Sequence, residues 1–396
     1  REAFSSRSEL DPSVVGPCLP APQREAYRYF DKDSMEWRSY TWAQMAHQVA
    51  RWQAAMRSEQ APRGGRVAIQ LRNCPEWVMF DQAALSLGLV NVPLYTDDRP
   101  DNISYILKEA DVNILLVQDA GRWRRLAEVV GDGGPLRRVL LLDDSDAARK
   151  LAAEDERVRI VGDWLPDDAG ELVRRDGGDP HALASIVYTS GTTGRPKGVM
   201  LSHHNMLAVA HGSLTLLDCY QEDVFLSFLP LSHTLERTVG YYLCVMTGSC
   251  VAYSRSVAQL GADLETVRPT LIVAVPRIFE RVYGRIADQM DKKGGLAKRL
   301  FEMTVSIGWR RFLHQQGRGA WPIGSLLWPV LERVVASRIA AKLGGNLRAA
   351  ISGGAPLNEE IARVFIGLGV PIIQGYGLTE TAPVISANPL EDNIPG

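Results

Sequence analysis

The segment richest in chemistry is Tyr188-Thr189-Ser190-Gly191-Thr192-Thr193-Gly194-Arg195-Pro196-Lys197-Gly198. It follows the apolar run Ala184-Ser185-Ile186-Val187. Glycines let backbone N–H groups turn inward and form a nest for an anion. The hydroxyls of Ser190, Thr192 and Thr193 add donors. Lys197 adds a mobile positive charge of the kind a polyphosphate needs. A Walker A loop requires Gly-x-x-x-x-Gly-Lys-Ser/Thr. Here Gly191 and Gly194 are too close together, and Lys197 precedes Gly198 instead of a hydroxyl residue. A bare Gly-x-x-Gly would read as a polar hairpin loop. This whole composition, placed directly after an apolar strand, reads as a phosphate loop.

Three later segments also bring reactive types together. Leu229-Pro230-Leu231-Ser232-His233 precedes Glu236-Arg237-Thr238-Val239-Gly240. The His233 imidazole can donate a hydrogen bond to a carboxylate, or it is a satisfied histidine at a strand end. Ile351-Ser352-Gly353-Gly354-Ala355-Pro356 places small residues after a strand-like run. There a flat ring can approach the backbone, although a strand-to-helix turn with Pro356 at the helix start has the same composition. In Gln374-Gly375-Tyr376-Gly377-Leu378-Thr379-Glu380-Thr381, glycines flank an aromatic that can stack on a base. Glu380 alone would also suit the start of a helix.

In this order, the four segments resemble the signature motifs of the adenylate-forming superfamily. That group comprises acyl-CoA synthetases, luciferases and the adenylation domains of peptide synthetases. Val199-Met200-Leu201-Ser202-His203 continues the likeness, and Gly88-Leu89-Val90-Asn91-Val92-Pro93-Leu94-Tyr95 resembles an early structural motif of the group. The resemblance implies that ATP contacts Thr189, Ser190, Gly191, Thr192, Thr193, Gly194 and Lys197. Its adenine would lie on Gly353, Gly354, Ala355 and Pro356 and against Gln374, Gly375, Tyr376, Gly377 and Thr379. It implies Mg2+ held by Thr189 and Glu380, and His233 beside the carboxylate or acyl-adenylate. His233, Lys197, Thr379 and Glu380 are thus the candidates for the chemistry.

Val275-Pro276-Arg277-Ile278-Phe279-Glu280-Arg281-Val282-Tyr283 resembles the long-chain fatty acid–CoA ligase branch. Phe279 matches a gating aromatic of some members and equally suits a core position. The implied reaction activates a long-chain fatty acid with ATP and passes the acyl group to CoA. Two alternatives stay open: an acyl-AMP ligase serving a carrier protein, and a non-catalytic ATP or acyl binding module. The family's later Thr-Gly-Asp motif and late lysine do not appear after Glu380, and Lys197 does not take that lysine's role. The chain starts at Arg1 and stops at Gly396, so it is expected to be the N-terminal region of a longer protein.

These residues must be held by a scaffold. Val-, Ile- and Leu-rich runs at 66–71, 88–95, 112–117, 137–143, 184–190, 224–230, 249–254, 269–276, 347–354 and 370–377 predict strands, several of them apolar on both faces as buried parallel strands require. Helical patterns at 75–87, 99–110, 203–217, 276–290 and 357–368 alternate with them. The expected fold is α/β, with stacked, largely parallel sheets and helices on both faces. Polar residues at 144–182 suggest a linker, dividing a first subdomain, 1–180, from a second, 181–396, that carries the phosphate loop and adenine site.

Composition excludes other classes. With 46% hydrophobic residues and a net charge of -2, the chain is neither disordered nor a generic nucleic-acid binder. Five cysteines without a Cys-x-x-Cys pair give no zinc site and no disulfide framework. No apolar run is long enough to span a bilayer, so a cytoplasmic location is expected. Seven basic residues and one acid at 292–318, followed by the apolar stretch from Trp321 to Leu331, read either as peripheral membrane contact through 292–336 or as a solvated helix face beside a core helix. Oligomeric state is not legible.

Overall fold

The computed structural model describes residues 21–168, 170–173, 178–189 and 194–395. The chain divides into two compact units. The first takes Trp37–Val209 and Pro230–Thr238 with the N-terminal segment up to Asp31; the second takes Ala210–Leu229 and Val239–Gly396 with Lys32–Glu36.

Strands β1 (Glu25–Asp31) and β2 (Glu36–Thr41) lead into helix α1 (Trp42–Ser58). Thr41 starts that helix with a capping box to Gln44. The chain then alternates: β3 (Arg66–Gln70), α2 (Pro75–Ser86), β4 (Val90–Pro93), α3 (Pro100–Glu109), β5 (Val112–Val117), α4 (Ala120–Val130) and β6 (Arg138–Leu141). It continues through α5 (Asp146–Glu154), β7 (Val158–Ile160), α6 (Val161–Trp164), β8 (Leu183–Thr189), β9 (Lys197–Ser202) and α7 (His203–Ser213). The short α8 (Thr234–Arg237) also belongs to this unit. Pro75 and Pro100 open α2 and α3, where the missing N–H costs nothing. Asp119 and Ser145 cap α4 and α5.

Seven strands form one sheet in the order β7-β6-β5-β3-β4-β8-β9. All its neighbours are parallel except β8 and β9, which are antiparallel. Val67, Ala68 and Ile69 on β3 are fully buried, as are Leu115, Leu116 and Val117 on β5. Such runs have no polar face and must be covered on both sides.

Two sequence expectations are corrected here. Residues 144–182 are not simply a linker, because α5, β7 and α6 lie within them and β7 is the outer strand of this sheet. The polar composition hid four apolar anchors, Ala148, Val158, Ile160 and Val161, which are buried. The boundary at 180 also fails. β8 pairs with β4 and places the phosphate-loop segment in the first unit.

The second unit contains β10 (Val224–Ser227), α9 (Leu243–Thr247), β11 (Cys250–Tyr253), α10 (Leu260–Val267), β12 (Leu271–Ala274), α11 (Pro276–Lys293) and α12 (Gly295–Gln315). After these come α13 (Trp328–Leu331), α14 (Ser337–Lys342), β13 (Ala349–Ser352), α15 (Glu359–Gly367), β14 (Ile372–Gly377) and β15 (Val384–Ala387). Its strands run β15-β14-β13-β12-β10-β11, parallel except for the antiparallel β15. Asp223, just before β10, receives a fork of hydrogen bonds from Arg348, just before β13, at 2.8 and 2.5 Å. Thr270 Oγ1 donates to the same carboxylate at 2.7 Å. One buried anion thus gathers the entrances of three neighbouring strands. The ten strands expected from sequence are all present, five in each sheet, and the fold is α/β with helices on both faces.

Candidate functional site

The stem of the phosphate loop is the β8–β9 hairpin. Thr189 ends β8 and sits opposite Lys197, the first residue of β9. Ser190, Gly191, Thr192 and Thr193 lie outside the described residues. Lys197 is exposed, and Thr189 is partly exposed. Gly198 makes a close approach: a Cβ there would stand 2.7 Å from Ile186 Cγ2 and 3.1 Å from the Tyr188 ring, so a neighbour would have to move. Gly194 has φ +92°, the region glycine favours. Tyr188 donates to Glu109 on α3, and burial followed by this bond pushes its phenol pKa up. Arg195 stacks over Tyr105 at 5.4 Å. Lys197 therefore stands clear at the stem, whereas Arg195 is drawn to α3.

His233 is in the same unit, immediately before α8. The Leu235 backbone N–H donates to its Nδ1 at 3.2 Å. In the neutral ring the proton is then on Nε2, which is left as a donor. Burial pushes the His233 pKa down, favouring that neutral form. Asn73 Oδ1 accepts from the Leu231 N–H at 2.9 Å and holds the preceding loop.

Four residues after His233, Arg237 is buried with 1% of its surface exposed. Its Nη2 donates to Asp81 on α2 at 2.5 Å, and its Nη1 donates to Ser185 Oγ on β8 at 2.6 Å. Asn91 on β4 donates to Asp81 at 2.5 Å, and its carbonyl accepts from Ser185 Oγ at 2.8 Å. The guanidinium also lies 5.3 Å over the Trp77 ring. The helix that begins at His233 is thereby fastened to the strand that carries the phosphate loop. Sequence reading missed Asp81, Asn91 and Ser185 as members of this network. The available signal was Asp81 itself, a single acid in the largely apolar run Trp77 to Leu85, where a buried charge must find a partner.

The remaining candidates belong to the second unit. Ser352 ends β13 and is in register with Gln374 on β14. Gly354, Ala355 and Pro356 follow β13 and are exposed, and Gly354 has φ +81°. Gln374 and Gly375 are partly exposed on β14, and Tyr376 is 63% exposed. A Cβ on Gly377 would collide with the Pro383 carbonyl. Thr379 and Glu380 follow in a short 3-10 turn, Glu380 exposed. Among the described residues, Ser352 Oγ and Gln374 Nε2 are buried with no hydrogen-bond partner. Carboxyl ends of parallel strands are where α/β sheets take ligands. The Cβ-free approach, the open aromatic face and these two polar atoms fit a planar base.

Phe279 on α11 is 3% exposed and meets Phe365 edge-on at 5.5 Å. It lines an apolar cavity of only about 20 Å³, so it is a core aromatic in this conformation. Among the described residues, no three His, Cys, Asp or Glu side chains gather as a metal cluster. Thr189 in the first unit and Glu380 in the second each offer oxygen, the donor a hard cation prefers.

A description of AMP-binding enzymes matches residues 20–396. The chain belongs to the AMP-binding enzyme family. This AMP-binding chain is 33% identical over 339 residues to the peroxisomal long chain acyl-CoA synthetase 6 of Arabidopsis thaliana, covering 85% of this chain and 47% of the relative. It is 31% identical over 368 residues to the long-chain-fatty-acid–CoA ligase FadD15 of Mycobacterium bovis, covering 90% and 58%. The chain thus spans about half the length of the curated relatives it matches. Among solved structures, its fold resembles an anthranilate CoA ligase, AuaEII, at a TM-score of 0.70 and 16% identity, over 98% of this chain and 62% of that one. It likewise resembles the N-terminal domain of FACL13 from Mycobacterium tuberculosis, at a TM-score of 0.66 and 21% identity, over 94% and 77%. The AMP-binding family and its fold are therefore established.

Proposed function

We propose that this chain takes part in the ATP-dependent activation of a long-chain fatty acid, first to acyl-adenylate and then to acyl-CoA. A carboxylate oxygen attacks the α-phosphorus of ATP and pyrophosphate leaves. The CoA thiolate then attacks the acyl carbonyl and AMP leaves. The observation that carries the reading is the pair of strand ends at Ser352–Pro356 and Gln374–Glu380, with its open Tyr376 ring. The relatives named as long-chain acyl-CoA synthetases support the choice of acid and acceptor.

In this reading Tyr376 and the Gly353–Pro356 backbone take the adenine. Lys197 and the segment Thr189–Gly194 take the phosphates. Thr189 and Glu380 hold magnesium, which neutralises phosphate charge when bound. His233, neutral and donating from Nε2, holds the carboxylate. Positioning and charge neutralisation do most of the work, and peripheral membrane contact through 292–336 belongs to the same reading.

The test is ATP–pyrophosphate exchange driven in turn by acetate, octanoate and palmitate. Each buried methylene contributes about 0.8 kcal/mol, so two more carbons should raise apparent affinity about tenfold. Exchange that rises with chain length supports a long-chain pocket. Exchange that is flat across the three acids contradicts it. Transfer from the adenylate to a carrier protein but not to CoA would favour the acyl-AMP ligase. Folded protein that binds ATP without exchange would favour a binding module.

A further inference from the structure

Helices α10, α11 and α14 of the second unit enclose a cavity of about 340 Å³, a size in the range of small-molecule sites. None of the residues proposed to hold nucleotide, magnesium or carboxylate lines it. On α11 the lining falls into two stripes at helical spacing. Ile278, Val282, Ile286 and Met290 form one, and Arg281, Arg285, Gln289 and Lys293 form the other. The third wall repeats the arrangement, with Arg338 and Lys342 beside Ile339 and Leu343. Leu260 and Leu264 on α10 complete an apolar floor, while the cations are exposed at the rim. A smaller cavity shares Leu260, Leu264, Ile278, Val282 and Leu343 with this one and is lined by apolar side chains only. The floor therefore continues inward without a polar group.

Charge specifies the ligand. Lys342 meets Glu265, the one acid of the lining, at 3.0 Å. Among the described residues, Arg281, Arg285, Lys293 and Arg338 form no ion pair. Like charges one turn apart, as Arg281 and Arg285 are, disfavour the helix that carries them, so an anion held among these cations relieves a standing repulsion. Each of four rim cations is next in sequence to a floor residue: Arg281 to Val282, Arg285 to Ile286, Arg338 to Ile339 and Lys342 to Leu343. Head and tail of a fitting ligand are then joined directly, without the long spacer of a CoA thioester. Four unpaired cations favour more than one negative charge. A phosphate monoester supplies it and a carboxylate does not.

We propose that this cleft binds a single-chain phosphate monoester, with the apolar chain on the floor between α10 and α11 and the dianionic head among Arg281, Arg285, Lys293 and Arg338. The site shares no residue with the proposed reaction. Its test reads binding and not turnover, so it is decided separately from the ligase reading.

Titration calorimetry at about pH 8, where a phosphate monoester is a dianion, compares decyl phosphate with decanoate, decanol and inorganic phosphate, each below micelle-forming concentration. Decyl phosphate should bind about tenfold or more tighter than decanoate. Decanol should bind more weakly still, and inorganic phosphate should give no signal. ATP with magnesium should not displace decyl phosphate. Gly261 on α10 lines the cavity, and a Cβ there would meet nothing within 4 Å. Gly261→Phe should therefore fill the cleft in a folded chain and weaken decyl phosphate about tenfold or more. The double variant Arg285→Glu, Arg338→Glu should weaken it at least as much. It should leave decanol binding and the thermal midpoint unchanged, since both side chains are exposed. Absence of decyl phosphate binding overturns the proposal, as does binding that neither variant weakens. Decanoate binding as tightly would make the occupant a fatty acid, and decanol binding as tightly would make the cleft simply apolar. Displacement by ATP would put the ligand in the nucleotide site. Each of these three results also overturns it.

Discussion

His233 illustrates how little room a single residue leaves for interpretation once its neighbours are fixed. With Nδ1 accepting from Leu235 and burial opposing the charge, the ring is a neutral Nε2 donor. His203, at the start of α7, is also buried, and burial lowers its pKa as well. Both should titrate below the ordinary value of 6.5. An NMR titration of the imidazole C–H resonances checks this, and a midpoint at or above 6.5 for His233 would contradict the neutral-donor role. The Arg237–Asp81 pair gives a second prediction at this scale. Removing one partner takes this ion pair away from the other buried charge, so Asp81→Leu or Arg237→Met should each cost about 3–5 kcal/mol in denaturant unfolding. The double variant should cost clearly less than the sum. Additive losses would show that the two side chains are not coupled.

At the scale of elements, the site depends on turns that glycine alone can make. Gly377→Ala would drive a methyl into the Pro383 carbonyl and displace the β14–β15 turn that carries Tyr376 and Glu380. The expected outcome is a loss of about 1–3 kcal/mol in stability with weakened nucleotide binding, measured by calorimetry with ATP. Unchanged ATP affinity in a folded Gly377→Ala chain would remove this turn from the nucleotide site. Which elements were legible in the sequence follows from burial. β3, β5 and β12 are apolar on both faces and announce themselves. The strands that went unread include β7, β9 and β15, at the outer positions of their sheets. There one side has no neighbour and sequences such as Lys197-Gly198-Val199-Met200 carry a weak alternation. The motif segments were legible because they concentrate glycine and hydroxyl residues. The Arg237 network was not, because Asp81, Asn91, Ser185 and Arg237 are far apart in sequence and only the folded sheet joins them. Phe279 could not be divided between gate and core by residue type; it is buried and meets Phe365 edge-on.

At the scale of the molecule, the two units carry their titrating groups differently, and this fixes the order in which acid should loosen them. His203 and His233 lie in the first unit, with pKa values lowered from 6.5. As pH falls below 6.5, the unfolded chain binds protons that the native imidazoles refuse, so stability falls with pH from that point down through the folded pKa. The matching group in the second unit is Asp223. Burial alone would raise its pKa, but hydrogen bonds from Arg348, Tyr220 and Thr270 hold its carboxyl below the ordinary 3.8. Its stabilisation is present above 3.8 and is lost only as pH falls through the lower folded value. The first unit's Asp155, held low by its bond to Arg157, behaves in the same way and so adds nothing at milder pH. Mild acid, between about pH 6 and 4, should therefore weaken the sheet that carries the phosphate-loop stem before it weakens the strands bearing Tyr376. Hydrogen exchange followed by mass spectrometry, corrected for intrinsic rates, reads each unit from its own peptides. Protection in peptides from β3, β4 and β8 should fall first, and replacing both histidines by glutamine should abolish that early loss in a chain that still folds. Earlier loss of protection in β10, β12 and β13 would mean that the Asp223–Arg348 fork, and not the buried imidazoles, sets the acid limit of this protein.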